Sequence, residues 1–278
     1  MTSTQELNLV DTLQKTIQIA EEAGALLREH FARPRKALNK SSVIDLVTEA
    51  DKQSEALIVS RLREFFPTHQ IVGEEGGAYD HEGTNGDYRW FVDPLDGTTN
   101  FAHGLPIFSV SMALTGPDGR TIVAVVYDPT RRETFAAAKG HGATLNGEPL
   151  QVSATESLGA ALVISGFPYD KWTTEENNVD NWGNFVVRTQ GERRLGSAAL
   201  DLCYVAAGRA DGYWEGKLHQ WDMMAGVLLV LEAGGQVTDY QGGTDFYGVK
   251  RPFLVSSNGI IHDQMLEVIR LGKDAPRP

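Results

Sequence analysis

Cysteine is almost absent from the sequence: Cys203 is the only one among 278 residues. An internal disulfide framework is therefore excluded, and a chain of this length can bury a sufficient core without one. Cys203 lies in an apolar pattern, so we expect it to be a small buried side chain. The lack of disulfides is typical of a reducing compartment, and we predict a cytoplasmic location.

Basic residues are scarce relative to acidic ones, with 25 Lys and Arg against 37 Asp and Glu and a formal net charge of −12. This balance argues against non-specific binding to nucleic acid or to an anionic membrane. No apolar run approaches transmembrane length, and the first ten residues do not resemble a signal peptide. We therefore predict no nucleic-acid partner and no membrane partner. Bound cations would let so acidic a protein attract an anionic substrate.

Several catalytic patterns are also missing. The sequence contains no P-loop, no dinucleotide-binding glycine fingerprint and no Gly-x-Ser-x-Gly elbow. Its seven histidines are scattered, and no pair of them has the spacing of zinc ligands. A metal site in this protein is therefore expected to use oxygen ligands.

The most informative stretch follows an apolar run at residues 90–92, which predicts the end of a buried strand. Two acids, Asp93 and Asp96, come next, separated by Pro94. We expect Pro94 to stop the strand, because it donates no hydrogen bond, and the two acids to share a tight turn. Gly97 permits close approach of a ligand, and Thr98 is expected to begin a helix with free N–H groups.

Two nearby carboxylates repel each other unless a proton or a cation lies between them, and oxygen ligands suit Mg²⁺. A helix N-terminus suits a phosphate group. The stretch therefore predicts a metal-assisted phosphate site. Asp, Pro and Gly are also common in ordinary turns, so a purely structural turn remains an alternative at this point.

Four stretches together resemble the inositol monophosphatase family. They occur in the family's order and with its approximate spacing, and the resemblance extends over residues 40–235. The stretches are Asp45-Leu46-Val47-Thr48-Glu49-Ala50-Asp51, Gly73-Glu74-Glu75, Asp93-Pro94-Leu95-Asp96-Gly97-Thr98-Thr99-Asn100-Phe101 and Trp221-Asp222-Met223-Met224-Ala225-Gly226.

The resemblance implies a site for roughly two or three Mg²⁺ ions, with water as the nucleophile. The implied metal ligands are Glu74, Asp93, the carbonyl oxygen of Leu95, Asp96 and Asp222. The implied catalytic residues are Asp51, Thr98 and Glu74. Asp51 would hydrogen-bond Thr98 so that the pair orients the attacking water.

The resemblance also implies a set of substrate contacts. N–H groups of Gly97 and Thr98 would bind the phosphate. Substrate hydroxyls would be contacted by Gly196, Ser197, Ala198 and Glu215.

Each of these residues also has a simpler structural interpretation. Asp51 and Asp222 are each predicted in the first turn of a helix, where the helix dipole favours an acid. Glu74 lies in a Gly-bounded turn that could be merely solvated. Gly196 and Ser197 could simply mark a helix start.

The pattern of apolar residues predicts an α+β fold. Helices are expected at residues 5–31, 49–66, 184–189, 197–208, 219–234 and from 258 or 259 to 271. Strands are expected at residues 43–47, 71–72, 160–165, 210–215, 236–238 and 252–255. An antiparallel meander is expected at residues 107–114, 121–127 and 133–138, followed by a hairpin at Asn146-Gly147. Residues 36–43 are expected to form a solvated loop or, from the resemblance, a lid.

The resemblance implies a layered αβαβα sandwich, usually dimeric. We predict two halves in one compact unit. Residues 1–152 would carry the antiparallel sheet and most metal ligands, and residues 153–278 would complete the site.

The leading functional prediction is a Mg²⁺-dependent, lithium-sensitive phosphomonoesterase that hydrolyses myo-inositol monophosphate and acts as a homodimer. Relatives acting on histidinol phosphate, fructose 1,6-bisphosphate or nucleotide phosphates share the metal motifs, so these substrates remain open. A metal-free two-carboxylate glycosidase is a further alternative. A non-catalytic, metal-stabilised binding protein is another.

Overall fold

Helices and sheets alternate in five layers in the computed structural model, which describes residues 7–32, 49–79, 84 and 86–272. Its α-helices are α1 (Leu9–Phe31), α2 (Glu49–Phe65), α3 (Thr98–His103), α4 (Val179–Val186), α5 (Ala198–Ala206), α6 (Gln220–Glu232) and α7 (His262–Arg270). A single 3₁₀ turn spans Leu158–Ala160.

The strands form two sheets. The first contains β1 (Gln70–Gly73), β2 (Gly77–Ala78), β3 (Arg89–Asp96), β4 (Ser109–Thr115), β5 (Thr121–Asp128), β6 (Glu133–Ala138), β7 (Ala143–Leu145) and β8 (Glu148–Pro149). The second contains β9 (Leu162–Ser165), β10 (Gly191–Arg193), β11 (Gly212–Glu215), β12 (Gln236–Asp239) and β13 (Leu254–Ser257).

The first sheet has the order β2-β1-β3-β4-β5-β6-β7-β8. Its pairings are antiparallel except for β1 and β3, which run parallel. The predicted meander and the Asn146-Gly147 hairpin are confirmed. Because β1 and β3 are parallel, their carboxyl ends lie at the same edge of the sheet. Glu74, which follows β1, and Asp93 and Asp96, at the end of β3, meet at this edge.

The second sheet has the order β10-β9-β11-β13-β12. Its first three strands are parallel, and β13 is antiparallel to both of its neighbours. All strands of the first sheet lie before residue 150 and all strands of the second after residue 161. The division of the chain at residue 152 stays a prediction.

Three apolar cores separate the layers. One lies between the α1–α2 layer and the first sheet. A second surrounds α5 and α6, which are packed between the two sheets, and includes the buried Cys203. The third lies between the second sheet and the α4–α7 layer. The α+β class and the αβαβα sandwich implied by the resemblance are confirmed. No helix among the described residues is long and apolar enough to cross a membrane.

Strand β3 corrects one sequence prediction. Pro94 does not end the strand, which continues to Asp96, and Asp93 and Asp96 do not share a tight turn. The pairing of β3 with β4 is regular as far as Asp93 and then shifts before Asp96. The missing N–H of Pro94 is tolerated because it falls within this irregularity, where no ladder hydrogen bond is needed.

Several helix boundaries also differ from prediction. Helix α1 begins at Leu9 rather than at residue 5, because Asn8 caps it by accepting a hydrogen bond from Asp11 N at 3.1 Å. Helix α4 begins five residues before its predicted start, and its buried Phe185 stacks on Trp214 of the second sheet. Helix α7 begins at His262, later than predicted. The predicted loop at residues 36–43 and strand at residues 43–47 lie outside the described residues.

Helices α5 and α6 approach closely at Gly226. A Cβ atom added there would lie 2.4 Å from Cβ of Leu202, which is shorter than a van der Waals contact. The small residue is therefore required for the central helical layer to fit between the sheets.

We predict that Gly226→Ala lowers the free energy of unfolding by about 2 kcal/mol, because overpacking outweighs the better helix propensity of alanine. Gly183→Ala in α4 is the matched control, since an added Cβ there meets no atom within 4 Å. It should raise the free energy of unfolding by about 0.5–1 kcal/mol. Urea unfolding of the two variants measures the difference, and equal effects would contradict this account of the packing.

Candidate active site

The end of β3 places two acidic side chains in the interior. Asp93 and Asp96 are both buried. Asp93 Oδ1 accepts a hydrogen bond from Leu95 N at 3.0 Å across the irregular part of the strand. The end of β3 thus presents the carboxyl group of Asp93, the main chain of Pro94 and Leu95, and the carboxyl group of Asp96 in succession.

Gly97 follows at φ 93°, in the left-handed region, and acts as the N-cap of α3. An added Cβ would lie 2.9 Å from the carbonyl oxygen of Ile107, so only glycine fits without strain. The hydroxyl group of Thr98, the first residue of α3, donates to the carbonyl oxygen of Leu95 at 3.0 Å. The Thr98 hydroxyl hydrogen is therefore directed to Leu95, and the hydrogen bond with Asp51 that the resemblance implies stays a prediction.

Asp96 joins β3 to the start of α5. Its carboxylate accepts hydrogen bonds from the amides of Ala198 at 3.1 Å and Ala199 at 3.0 Å, and from the hydroxyl group of Ser197. Ser109 of β4 donates to it as well, at 3.1 Å. Ser197 is the N-cap residue of α5, as predicted, but its own side chain makes no capping hydrogen bond. The free N–H groups at the start of α5 instead donate to Asp96, which lies about one hundred positions earlier in the chain.

Asn100 makes a second connection between the two halves. Its side-chain amide nitrogen donates to the carbonyl oxygens of Ile107 at 2.9 Å and Leu195 at 2.8 Å, with Gly196 at 3.3 Å. The residue is buried, so these carbonyl groups have little access to water. Asn100 therefore fixes the Gly196 segment beside Gly97.

Glu74 and Asp222 approach from two further elements. Glu74 follows β1, and its N–H donates to the carbonyl oxygen of Val92 at 3.2 Å, which continues the pairing with β3. Its side chain lies near that of Asp93, so that the charge of Glu74 acts on Asp93. Asp222 lies in the first turn of α6, where its carboxylate accepts the N–H of His219 at 2.7 Å.

Electrostatic interactions couple these acids. Burial raises the pKa of Glu74 to about 7, and the charges of Glu75, Asp96 and Glu55 add to the shift. Burial likewise raises the pKa values of Asp93 and Asp222 well above the usual range, and the charge of Glu74 adds to both shifts. Burial raises the pKa of Asp96 too, against the hydrogen bonds that it accepts. The anionic forms of all four are therefore disfavoured together.

Two more predicted site residues also have raised pKa values, the buried Asp51 and the partly buried Glu215. Asp51, in the first turn of α2, has its pKa raised to about 8 by burial and then by Glu74, Glu75 and Glu55. Burial raises the pKa of Glu215 to about 7, and the Tyr213 hydroxyl, which donates to it at 2.6 Å, opposes the shift. Glu215 therefore presents a partly buried acid from the second sheet.

The chemistry of these groups fits Mg²⁺. The side chains are carboxyl groups, the Leu95 carbonyl oxygen has a second lone pair beyond the Thr98 hydrogen bond, and a cation would relieve the repulsion among the acids. Within the described ranges, however, no three His, Cys, Asp or Glu side chains are already arranged to hold an ion. Hydrogen bonds instead occupy oxygens of Asp93, Asp96 and Asp222. The ligand set therefore stays a prediction.

A family model described as the inositol monophosphatase family matches residues 9–272. The chain belongs to the inositol monophosphatase family. It is 42% identical to an inositol-1-monophosphatase of Synechocystis over 261 residues, which cover 92% of this chain and 89% of the relative. It is also 44% identical over 266 residues to a Pseudomonas aeruginosa protein named Nus factor SuhB, covering 93% and 95% of the two chains.

Solved inositol monophosphatases have the same fold. The structure from Anabaena matches with a TM-score of 0.85 and 40% identity over 98% of both chains. The Thermotoga maritima structure matches with a TM-score of 0.80 and 38% identity, over 93% of this chain and 96% of the other. The family predicted from four short stretches is confirmed, and the protein is a phosphoric monoester hydrolase. The glycosidase alternative is therefore wrong.

Some supporting residues were missed at the sequence level. Ser54 of α2 donates to the carbonyl oxygen of Pro94 at 3.0 Å, and Ser109 holds Asp96. The spacing of Asp51 and Ser54 places both on one face of α2, which is the signal that could have identified Ser54. No local pattern marks Ser109 or the cross-links of Asn100, because their partners are distant in sequence.

We predict that Asn100→Asp lowers the free energy of unfolding by about 3 kcal/mol, since an acceptor would face carbonyl oxygens in a buried position. Asn181→Asp in α4 is the control, because that residue is only half buried. It should change stability by less than about 0.5 kcal/mol. Denaturant unfolding at pH 7 tests the pair, and a tolerated Asn100→Asp would refute the assigned cross-link.

Proposed function

We propose that the protein hydrolyses a small phosphomonoester with Mg²⁺, and that myo-inositol monophosphate is its substrate. The observation that carries the proposal is the electrostatic coupling of four acids, two on β3, one directly after β1 and one in the first turn of α6, beside Gly97 and the start of α3. Family membership supports the reaction class. The relative named inositol-1-monophosphatase supports the substrate.

The residues that would hold Mg²⁺ are Glu74, Asp93, the carbonyl oxygen of Leu95, Asp96 and Asp222. Bound Mg²⁺ would lower the pKa of a water molecule and stabilise the leaving alkoxide. Asp96 accepts hydrogen bonds from four donors, three of them at Oδ2. Its Oδ1 atom accepts from Ala198 and retains a lone pair for a ligand.

Thr98 and Asp51 are the proposed water-orienting pair. Because the Thr98 hydroxyl donates to Leu95, its oxygen lone pairs can accept a hydrogen from the attacking water. Asp51 is the proposed acceptor of the proton. N–H groups of Gly97 and Thr98 bind the phosphate and stabilise the charge that develops on it.

Substrate hydroxyl groups are proposed to contact Glu215 and residues 196–198. The Ser197 hydroxyl and the Ala198 amide already donate to Asp96, so they hold that carboxylate in place. Glu215 is therefore the principal proposed acceptor of a substrate hydroxyl. Gly196 contributes main-chain atoms.

The proposal also covers the oligomeric state, location and partners of the protein. A homodimer, a cytoplasmic location and lithium sensitivity are part of this proposal. The acidic net charge supports the absence of direct nucleic-acid binding. Relatives named Nus factor SuhB make a nucleic-acid binding assay a necessary companion to the enzyme assay.

We predict phosphate release from myo-inositol 1-phosphate that requires Mg²⁺, is abolished by EDTA and returns when Mg²⁺ is added back. Histidinol phosphate, fructose 1,6-bisphosphate and a nucleotide monophosphate form the comparison panel. Faster release from one of these would keep the mechanism and change the substrate. Release from none of them would favour the metal-stabilised binding protein.

We predict that Thr98→Ala slows turnover by about 100-fold, the lower end of a lost general acid–base contribution, while leaving Mg²⁺ binding intact. Thr98→Ser retains the hydroxyl group and should keep most of the activity. Asp93→Asn should abolish both turnover and high-affinity Mg²⁺ binding, because Asp93 is proposed to hold two ions. Calorimetric titration separates these effects, and lost Mg²⁺ affinity in Thr98→Ala would contradict the assigned role.

A further inference from the structure

Glu55 is a nearly fully buried acid outside the proposed ligand and catalytic sets. It lies on α2, one turn after Asp51 and next to Ser54, and only 2% of its surface is exposed. The spacing of the three residues places them on one face of the helix, which is directed toward the site. A buried carboxylate needs hydrogen-bond donors to offset the loss of water.

The donors to Glu55 come from the turn that carries Glu74. The N–H of Glu75 donates to Glu55 Oε2 at 3.0 Å, and the N–H of Gly76 donates to Oε1 at 2.7 Å. The hydroxyl group of Tyr79, just beyond β2, donates to Oε1 as well. One side chain therefore satisfies both main-chain amides that follow Glu74.

The close fit of the carboxylate against β1 supports a positional role. A Cβ atom added to Gly73 would lie 2.4 Å from Glu55 Oε2, so the carboxylate occupies the space directly behind the residue before Glu74. Between the described residues, a cavity of about 530 Å³ adjoins Glu55 and the turn. The hydrogen bonds to Glu55 hold the turn beside this cavity.

We propose that Glu55 is a positioning residue, which fixes the main chain of residues 74–76 and thereby holds the Glu74 carboxyl group at the proposed Mg²⁺ site. The link to the metal rests on the proposed function. The hold on the turn rests only on the hydrogen bonds. The N–H of Glu74 itself donates a hydrogen bond to the carbonyl oxygen of Val92.

A carboxylate is required at this position because all three partners are donors. Glutamine has the same shape but replaces one oxygen with an NH₂ group, which cannot accept. In Glu55→Gln at least one of the two turn amides therefore loses its acceptor. We expect the turn to open and the affinity for Mg²⁺ to fall by roughly tenfold, the scale typical of residues that orient metal ligands.

The first measurement is calorimetric Mg²⁺ titration of the full chain without substrate. Glu64→Gln is the matched control, since it makes the same substitution at an exposed position of the same helix. The wild type and Glu64→Gln should bind alike, and Glu55→Gln should bind about tenfold more weakly. Unchanged Mg²⁺ affinity in folded Glu55→Gln overturns the proposal, even if its melting temperature falls.

The second measurement is hydrogen exchange of the segment at residues 71–79 in EDTA. We expect roughly tenfold faster exchange of the turn amides in Glu55→Gln than in the wild type and Glu64→Gln, as for a locally opened segment. Unchanged exchange overturns the hold on the turn. If the wild type binds no Mg²⁺, the proposed function and the link to the metal both fail. The exchange result would still show whether Glu55 fixes the main chain of residues 74–76.

Gly73→Ala provides a second variant in case Glu55→Gln does not fold. The added methyl group would displace the carboxylate while leaving its charge in place. The same loss of Mg²⁺ affinity and the same faster exchange are expected. Wild-type values for both measurements in Gly73→Ala would overturn the proposal.

Discussion

The burial of several like-charged carboxyl groups is the constraint on which the rest of the structure depends. Removal from water and mutual repulsion both disfavour the anionic forms of Glu74, Asp93 and Asp222. The fold offsets part of this cost with N–H donors at strand ends and helix starts, where main-chain groups lack partners within their own element. Such donors are supplied by Leu95 and His219. A cation at the proposed Mg²⁺ site would relieve the remaining cost.

Asp96 shows how the same constraint joins the first sheet to the central helical layer. A helix start usually satisfies its free amides with a side chain from its own N-cap residue. At α5 the N-cap residue is Ser197, yet the acceptor is Asp96, about one hundred positions earlier in the chain. The carboxylate and the helix start thus satisfy each other. Because Asn100 on α3 binds the carbonyl oxygen of Leu195 as well, the segment that leads into α5 is held beside the end of the first sheet.

Local patterns predicted much of the fold because its helices and meander have clear periodicities. The hairpin at Asn146-Gly147 was predictable because both residues adopt positive φ, which their types favour. The continuation of β3 through Pro94 was not predictable, because the irregular pairing that tolerates it depends on β4. The motifs located the acids of the site. The roles of Asn100 and Glu55, which hold the segments around these acids in place, were missed. Their hydrogen-bond partners are distant in sequence, so no local spacing pattern predicts them.

The acids come from both halves of the chain, so an ion bound among them would stabilise the fold as a whole. Glu74 directly follows β1 and Asp93 lies near the end of β3, whereas Asp222 lies in the first turn of α6 in the central helical layer. An ion that binds all three would connect the edge of the first sheet to the helical layer. Such an ion binds the folded chain and not the unfolded one, so its binding energy adds to the stability of the fold. A protein whose acids repel each other without the ion gains most from this linkage, since binding removes a penalty as well as adding contacts.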